Sequence, residues 1–216
     1  MIRAASGVCV RPLSGEDVSG DACFIHPWSR GIVVLVADGL GHGPIAAEAS
    51  RVLALHVRGA IDMPLEEILA SAHRALRKTR GAVATIARFD EGAGKVEVAG
   101  IGNVTTRVVR RAEAPVHVLV PAGILGSAYR PTRTQSLDFG IDDLVVMHTD
   151  GVRSHFDLAP LRALPPDELA KAVVSAYGKA TDDAACAVVR GVPAEGRAAP
   201  GEGDRVAMTI RFPGDA

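Results

Sequence analysis

Hydrophobic residues recur along this chain at two spacings, one typical of strands and the other typical of helices. Short apolar runs rich in β-branched residues predict strands, whereas apolar residues three and four positions apart predict helices. The predicted strands are 7–12, 21–26, 31–37, 83–89, 96–101, 105–110, 116–120, 144–148, 185–189 and 206–212, and the predicted helices are 44–60, 65–78 and 166–176. Strands that come in groups, rather than in strict alternation with helices, favour an α+β fold of antiparallel sheets covered by helices.

The size and composition of the chain fit one folded domain over residues 1–216. Its 216 residues are 48% hydrophobic, which supplies enough apolar surface for a sizeable core. Residues 191–204 are rich in Gly, Pro and Ala, and we expect a mobile loop there before the last strand. The three cysteines, Cys9, Cys23 and Cys186, lack metal-ligand spacing and are expected to be reduced core residues.

The charge balance argues against partners that are attracted by an overall field. With 24 Lys and Arg residues against 25 Asp and Glu, the net charge is −1, which draws neither nucleic acid nor an anionic membrane to the chain. The N-terminal residues lack the apolar centre of a signal peptide, and no apolar stretch approaches the roughly 20 residues that span a bilayer. We expect a cytoplasmic protein and a monomer.

Two Asp-Gly pairs, Asp38-Gly39 and Asp150-Gly151, each follow an apolar run that predicts a buried strand. A single Asp-Gly pair is most often a plain turn, but the same pair at two strand ends suggests a shared purpose. A carboxylate at a strand end has a rigid support, and the glycine lets the main chain turn tightly beside it. Two such ends brought together would repel each other unless a cation lay between them. The pattern therefore predicts a divalent metal site.

Three further aspartates stand next to predicted strands and enlarge this acidic set. Asp21 stands at the start of one strand, and the pair Asp182-Asp183 precedes another. Carboxylates are preferred ligands of hard cations such as Mg²⁺ and Mn²⁺, and a pair of these ions can hold a phosphate while activating a water. No Cys or His cluster in the sequence offers a zinc site instead. The sequence thus indicates phosphate chemistry that depends on magnesium or manganese.

Five segments, in this order, resemble the motifs of the metal-dependent serine/threonine protein phosphatases. They are 15–21 (GEDVSGD), 37–43 (ADGLGHG), 100–104 (GIGNV), 149–152 (TDGV) and 182–186 (DDAAC). The likeness spans about residues 8–190 and is greatest to the compact bacterial branch that includes the SpoIIE phosphatase domain and RsbX. It implies an αββα sandwich of two antiparallel sheets flanked by helices, with two Mn²⁺ or Mg²⁺ ions between the sheet ends.

The resemblance also implies a role for each matching residue. Asp38 would bridge both ions, the carbonyl of Gly39 would bind the first, and Asp150 and Asp182 would bind the second. Asp21 would lie near the first ion, either as a direct ligand or through water. Asp38 and Asp150 would then serve catalysis through a metal-activated water that hydrolyses a phosphoserine or phosphothreonine ester, with no phosphoenzyme intermediate.

Several neighbouring residues match positions around the family's site. Asp183 would stand beside the metal ligands, His42 could contact water or phosphate, and Asn103 matches a position near the site. An exposed loop explains His42 equally well, and a turn explains Asn103 equally well. His148 lies on a strand two residues before a metal ligand implied by the resemblance, and we expect its side chain to face away from the site and to be structural.

By the same resemblance, the substrates would be phosphorylated stressosome or sigma-factor regulatory proteins, with no nucleic-acid or membrane partner. Helices 44–60 and 65–78 directly follow the first metal motif. In the related sporulation phosphatase, this helix pair resembles a regulatory element that couples metal binding to partner contact. Packing against a sheet explains the pair at least as well, because its apolar residues need burial.

Two other functions fit part of the sequence. Gly41-x-Gly43 before a predicted helix resembles a dinucleotide-binding loop, although Asp38 would face the pyrophosphate with a like charge and the helix leads to a second helix. Ala185 stands where the family usually has Thr or Ser. A missing hydroxyl near the metal ligands would fit a phosphatase-like binding protein that has lost activity. The retained aspartates argue against that loss.

Overall fold

Two five-stranded sheets pack face to face, and helices cover the outer face of each sheet. They are seen in a computed structural model that describes residues 1–111 and 113–194. The strands are β1 (Ile2–Arg11), β2 (Asp21–Trp28), β3 (Gly31–Gly39), β4 (Ala82–Asp90), β5 (Lys95–Ile101), β6 (Thr105–Val109), β7 (Val116–Val118), β8 (Gln135–Asp138), β9 (Leu144–His148) and β10 (Ala184–Pro193). The helices are α1 (Gly43–Gly59), α2 (Leu65–Ala75) and α3 (Pro166–Tyr177), with 3₁₀ turns at Leu76–Lys78 and Ala159–Leu161. The αββα sandwich expected from the family resemblance is confirmed.

The strand order defines two sheets, which we call sheet I and sheet II. Sheet I has the order β1-β10-β9-β6-β7, and sheet II has the order β2-β3-β4-β5-β8. All eight strand pairings within the described residues are antiparallel. Alternation along each strand sends one set of side chains between the sheets, including Val36 and Met147, and the other set toward the helices.

Helices α1 and α2 pack together on the outer face of sheet II. Their apolar residues recur at helical spacing, and Leu53, Val57, Ile68 and Leu69 are fully buried against that sheet. Helix α3 covers sheet I in the same way, with Leu169 among its buried residues. Packing accounts for the apolar faces of the α1–α2 pair, and a regulatory role for this pair stays a hypothesis.

The meander expected between residues 83 and 120 is divided between the two sheets. β4 pairs with β5 in sheet II, whereas β6 pairs with β7 in sheet I, and the chain therefore crosses between sheets after Ile101. Gly102 makes the crossing with a φ of 103°, a left-handed conformation that favours glycine. Hydrophobic alternation cannot show which sheet a strand joins, and the sequence analysis therefore missed the division.

Several element boundaries also differ from the sequence predictions. β1 begins at Ile2 rather than at residue 7, and β8 has no predicted counterpart. The strand β10 extends to Pro193, because it pairs with β1 along ten residues on each side. Residues 191–193 are therefore part of a strand, and the predicted loop 191–204 is wrong at its start. The rest of that loop from residue 195, and the predicted strand 206–212, lie outside the described residues.

The cysteines and the helices bear on two other expectations. Cys23 and Cys186 are buried, as predicted, and Cys9 is half-buried. Burial raises the pKa of the Cys23 thiol, with neighbouring Cys186 adding to the effect, and this thiol stays protonated and unreactive. Over the two described ranges, no helix is both long enough and apolar enough to cross a membrane.

Candidate metal centre

One end of the sandwich collects aspartates from both sheets. Asp21 begins β2 and Asp38 lies near the end of β3, and the antiparallel register puts these two residues directly opposite each other. Residues paired in this way have Cα atoms about 4.5–5.5 Å apart. From sheet I, Asp150 follows the end of β9 and Asp182 precedes the start of β10. The fold thus brings the predicted metal ligands from distant parts of the chain to the same end.

The charges of these aspartates affect one another. Burial raises the pKa of Asp38 to about 7, with further contributions from Asp150, Asp182 and Asp183. Burial also raises the pKa of Asp21 well above its usual range, and the nearby charge of Asp38 adds to this. Carboxylates held together in this way resist ionisation unless a cation balances them. Asp38 and Asp150 therefore lie near enough for their charges to interact.

Hydrogen bonds within the protein occupy some of the carboxylate oxygens. The Asn103 side-chain amide donates to Oδ2 of Asp150 at 2.8 Å, and the Thr149 hydroxyl donates to Oδ2 of Asp21 at 2.6 Å. In the described part of the chain, no three His, Cys, Asp or Glu side chains are arranged as a formed metal-binding group. The aspartates are thus near enough to interact, and metal binding would require their side chains to converge further.

The donor set at this end fits a hard divalent cation. The main chains of Gly20 and Gly39 approach each other closely, and a Cβ atom on Gly20 would lie 3.2 Å from the Gly39 carbonyl oxygen. That carbonyl and the carboxylates of Asp21, Asp38 and Asp150, the ligands implied by the family resemblance, are all oxygen donors. Mg²⁺ and Mn²⁺ prefer such donors. The assignment of individual ligands remains a prediction.

Asp182 and Asp183 have different environments although they are adjacent. Asp183 is buried, and its two carboxylate oxygens accept hydrogen bonds from the backbone N–H groups of Leu13 at 2.7 Å and Gly20 at 2.8 Å. It therefore anchors the segment between β1 and β2 to the start of β10. Asp182 is half-buried, and burial, followed by the charge of Asp150, raises its pKa. Asp182 thus has fewer hydrogen bonds from the main chain than Asp183, and its role as a metal ligand stays a prediction.

Each Asp-Gly glycine is needed for a close approach of main chains. A Cβ atom on Gly39 would overlap the carbonyl oxygen of Ala46 in the first turn of α1, and a Cβ atom on Gly151 would overlap the carbonyl oxygen of Asp183. Any other residue would push Gly39 away from α1, or Gly151 away from the segment that carries Asp183. This is the physical reason for the repeated Asp-Gly pattern.

The loop before α1 carries two charged contacts at the border of the acidic end. Nδ1 of His42 lies 2.6 Å from Oε1 of Glu16, and the His42 side chain makes no capping hydrogen bond to α1. A Cβ atom on Gly41 would lie 2.7 Å from Nη1 of Arg80, which places that exposed guanidinium over the loop. His42 is thus paired with a carboxylate rather than isolated in a loop.

Thr149 contacts the acidic end through Asp21, and Arg80 lies over the loop at Gly41; neither residue had a role in the sequence analysis. The backbone N–H of Ala185 donates to the Thr149 hydroxyl at 3.0 Å, and the backbone N–H of Thr149 donates to the Ala185 carbonyl at 3.1 Å. A hydroxyl therefore lies directly against Ala185, where the resemblance suggested that one was missing. The position of Thr149 directly before Asp150-Gly151 could have indicated it, whereas no local pattern marks Arg80.

His148 is buried at the end of β9, and its ring packs against Phe156 on the outer face of sheet I. Its Nδ1 donates to the carbonyl oxygen of Thr149 at 2.9 Å, and burial lowers its pKa to about 4. The imidazole is therefore neutral at physiological pH. This agrees with the structural role predicted for it.

Known proteins share this architecture and parts of this sequence. The phosphoserine phosphatase RsbX of Bacillus subtilis (strain 168) is 25% identical over 146 residues, which cover 65% of this chain and 73% of RsbX. A chain from a solved structure of the bacterial stressosome, described as a modular system adapted to control secondary messenger signaling, is 32% identical with a TM-score of 0.82. The match covers 87% of this chain and all of that one. RsbX in complex with magnesium has a TM-score of 0.78 at 21% identity, over 88% of this chain and 100% of RsbX.

Two antiparallel sheets with an acidic end between them are the architecture of the PP2C-type protein phosphatases. The chain belongs to the stage II sporulation protein E (SpoIIE) family, whose model matches residues 29–212. It is accordingly a protein serine/threonine phosphatase, similar to RsbX.

Proposed function

We propose that this chain is a phosphatase that needs two Mn²⁺ or Mg²⁺ ions and removes phosphate from phosphoserine and phosphothreonine of stress-signalling regulatory proteins. The observation that carries the proposal is the pairing of Asp21 with Asp38 across β2 and β3, in electrostatic contact with Asp150 from the other sheet. An unbalanced group of carboxylates at this position would only cost stability. A pair of bound cations would balance the charges of these carboxylates and supply the chemistry of phosphate hydrolysis.

The chain's own residues would hold the ions and orient the phosphate. Asp38 would bridge the ions, with Asp21 and the Gly39 carbonyl on one side and Asp150 and Asp182 on the other. When bound, such ions lower the pKa of a coordinated water and balance the charge of the phosphoryl oxygens. Asp183 and Asn103 would fix the ligand positions through their hydrogen bonds. The residues of the proposed site are Asp21, Asp38, Gly39, His42, Asn103, Asp150, Asp182 and Asp183.

The exposed guanidinium of Arg80 is placed to bind the substrate phosphate. It lies over Gly41 at the border of the acidic end. An arginine presents several N–H donors in a planar arrangement that matches phosphate oxygens. His42 is held by Glu16 at 2.6 Å and could exchange a proton with a water or with the leaving serine oxygen.

The similarity to RsbX supports the choice of substrate. RsbX is named a phosphoserine phosphatase, and the 32%-identical chain comes from a stressosome structure. We therefore propose that the substrates are phosphorylated stressosome or sigma-factor regulatory proteins, with neither nucleic acid nor a membrane as partner. We also propose that the protein acts as a monomer in the cytoplasm.

A hydrolysis assay with matched variants tests the proposal. The purified protein is assayed with a chromogenic phosphate ester and with a panel of phosphoserine proteins, in Mn²⁺, in Mg²⁺ and in chelator. We expect activity with Mn²⁺ that falls to background in chelator and in Asp38→Asn, because the remaining carboxylates cannot hold the ion pair. Asp138→Asn is the control, since it removes an exposed aspartate on β8 that pairs with Lys95.

Two outcomes would replace the proposal with another function. Binding of a phosphorylated regulatory protein without phosphate release under any metal would favour the inactive binding protein. The Thr149 hydroxyl beside Ala185 weakens the sequence argument for that alternative. Stoichiometric binding of a dinucleotide without metal would favour the nucleotide-binding protein. That function fits the fold poorly, because α1 leads to α2 and then to an antiparallel strand rather than to a parallel one.

A further inference from the structure

A buried arginine lies under the outer surface of sheet I, away from the acidic end. Arg107 lies in the middle of β6 and pairs with Val146 of β9, whose side chain packs on the α3 side of the sheet. Residues paired in an antiparallel ladder share a face, and the Arg107 side chain therefore points to the same outer side. Asp150 lies four residues beyond Val146, which is about 13 Å along the strand.

The guanidinium of Arg107 has fewer partners than its burial requires. The residue is 6% exposed, and its Nε and Nη2 atoms are buried with no hydrogen-bond partner among the described residues. Nη1 makes one long hydrogen bond of 3.4 Å to the carbonyl oxygen of Phe156. The carbon Cζ lies 3.9 Å from the centre of the Phe156 ring. No ion pair within residues 1–111 and 113–194 includes Arg107.

A buried charge without a counter-charge is costly. Burial of an ionised group is tolerated where it is paired or where it binds a ligand. Arginine does not escape this cost by losing its proton, because its pKa is far above physiological pH. The Nε and Nη2 atoms of Arg107, which together carry three N–H groups, therefore lack the partner that an anion or water would supply.

Arg107 lines a cavity that other arginines surround. The cavity has a volume of about 360 Å³, and Arg110, Arg111 and Arg162 also line it. A neighbouring cavity of about 390 Å³ shares Arg111 and Arg162 and adds Arg190. Both cavities lie between the end of β6 and the segment around Ala159. A volume of this size admits a phosphate group together with part of the molecule that carries it.

The arginines around the cavity differ in whether their side chains already have hydrogen-bond or ion-pair partners. Arg110 lies 3.7 Å from a carboxylate oxygen of Asp143, and Arg162 donates to the carbonyl oxygen of Asp142 at 2.6 Å. Arg111 is exposed, and no hydrogen bond or ion pair joins its side chain to another described residue.

The acidic residues that line the cavities do not balance this charge. Asp157 lines the first cavity, and its carboxylate accepts from the backbone N–H of Ala159 at 2.9 Å. Asp142 lines the second cavity. Two aspartates thus stand against five arginines, and Arg107 and Arg111 are left without a carboxylate partner in the described ranges.

We propose that this cavity is a second phosphate-binding site, distinct from the acidic end, that takes a phosphomonoester through Arg107 and Arg111. Phosphate is the anion that the site fits best, because a guanidinium carries several N–H donors in a planar arrangement that matches phosphate oxygens. The phosphate comes either from a free small molecule or from a phosphorylated residue of a protein. The site needs no metal ion and therefore does not depend on the proposed hydrolysis.

Phosphate-dependent stabilisation in the presence of chelator tests the site. Thermal unfolding of the full chain is measured in EDTA with increasing inorganic phosphate, against chloride at matched ionic strength. A ligand that binds only the folded state raises the unfolding temperature as its concentration rises. We expect phosphate, and not chloride, to raise the unfolding temperature of the wild-type protein.

Three variants connect this shift to the cavity. Arg107→Met keeps the length of the side chain and removes the charge. It should fold at least as well as wild type without phosphate, since an unpaired buried charge is lost, and should weaken phosphate binding by about tenfold or more. Arg111→Ala, at the exposed edge, should also weaken binding and carries little risk to folding. Arg77→Ala removes an exposed arginine on the 3₁₀ turn after α2 and should leave the phosphate shift intact.

The results also identify the source of the phosphate. Equal affinity for inorganic phosphate and for a phosphoserine peptide would assign the site to a small ion, whereas tighter binding of the peptide would assign it to a phosphoprotein. The proposal is overturned if phosphate gives no shift beyond chloride, or if Arg107→Met and Arg111→Ala keep the full wild-type shift. In either case, water alone would fill the cavity.

Discussion

The hydroxyl of Thr149 donates a 2.6 Å hydrogen bond to Oδ2 of Asp21 and thereby links the two sheets at the acidic end. Thr149 follows β9 of sheet I, and Asp21 begins β2 of sheet II. Both residues are buried. The same hydroxyl accepts from the backbone N–H of Ala185, and one side chain therefore ties three strands together.

Replacement of Thr149 by valine should destabilise the protein by about 1–3 kcal/mol, because the shape is kept while two buried polar groups lose their partner. Denaturant unfolding in chelator measures the change. Thr149→Ser retains the hydroxyl and should recover most of the loss. If valine and serine destabilised the protein equally, the methyl group of Thr149 would be the important feature rather than its hydrogen bonds.

Replacement of Asp38 by asparagine should stabilise the metal-free protein by about 1–3 kcal/mol at pH 8. Burial and the nearby aspartates raise the pKa of Asp38 to about 7, and at pH 8 the folded protein therefore carries an unfavourable charge there. The same variant should lose the stabilisation that Mn²⁺ gives to wild type. Thermal unfolding with chelator and with Mn²⁺ measures both effects, and a variant less stable than wild type in chelator would contradict the repulsion.

Replacement of Arg80 by alanine should raise KM for a phosphoserine peptide by about tenfold, because one charge-assisted contact to the phosphate is lost. We expect kcat to change less, since the aspartates are untouched. Arg77→Ala is the matched control, as it removes a nearby exposed arginine that is not placed over Gly41. Steady-state kinetics in Mn²⁺ give both constants, and equal effects in the two variants would remove Arg80 from the site.

Protonation of His56 should cost the folded protein stability as the pH drops from 7 toward 5, against the gain that protonation of Asp21 and Asp38 brings to the metal-free protein. Nε2 of His56 lies 2.8 Å from the Ser71 hydroxyl of α2, and burial, followed by the charge of Arg74, lowers its pKa from 6.5. The unfolded chain therefore takes up a proton at a higher pH than the folded one, which favours unfolding as the pH falls.

His56→Gln keeps a hydrogen-bonding side chain without a titration near neutral pH. The stability of wild type relative to this variant should fall between pH 7 and pH 5, as measured by urea unfolding of both proteins at each pH. His26 has a lowered pKa too and is present in both proteins, so some dependence on pH should remain. Identical pH profiles for the two proteins would rule out a contribution from His56.

Much of this architecture follows from local patterns in the sequence. The runs before Asp38 and Asp150 are short, apolar and β-branched, and each forms a central strand where it was predicted. Helix α1 begins at Gly43 with Pro44 in its first turn, where a missing N–H costs nothing. The ordered motifs then supplied the αββα arrangement, which no single run of residues indicates.

The missed features depend on contacts between distant segments. Nothing near Gly102 reveals that β5 and β6 belong to different sheets, and β8 is a short edge strand with only half-buried side chains facing inward. Arg107 is a charged residue in an otherwise ordinary strand, and only the fold shows that it is buried. Arg80 likewise lies beside Gly41 only because the fold brings these two distant segments together.

The pairing of β1 with β10 joins residues 2–11 to residues 184–193. The strands of sheet II all lie between residues 21 and 138. During translation, sheet II can therefore assemble before β10 is available to pair with β1. Asp182 and Asp183 directly precede β10 in the chain. The proposed metal site would therefore receive its last ligand, Asp182, only after the strands of sheet II have been synthesised.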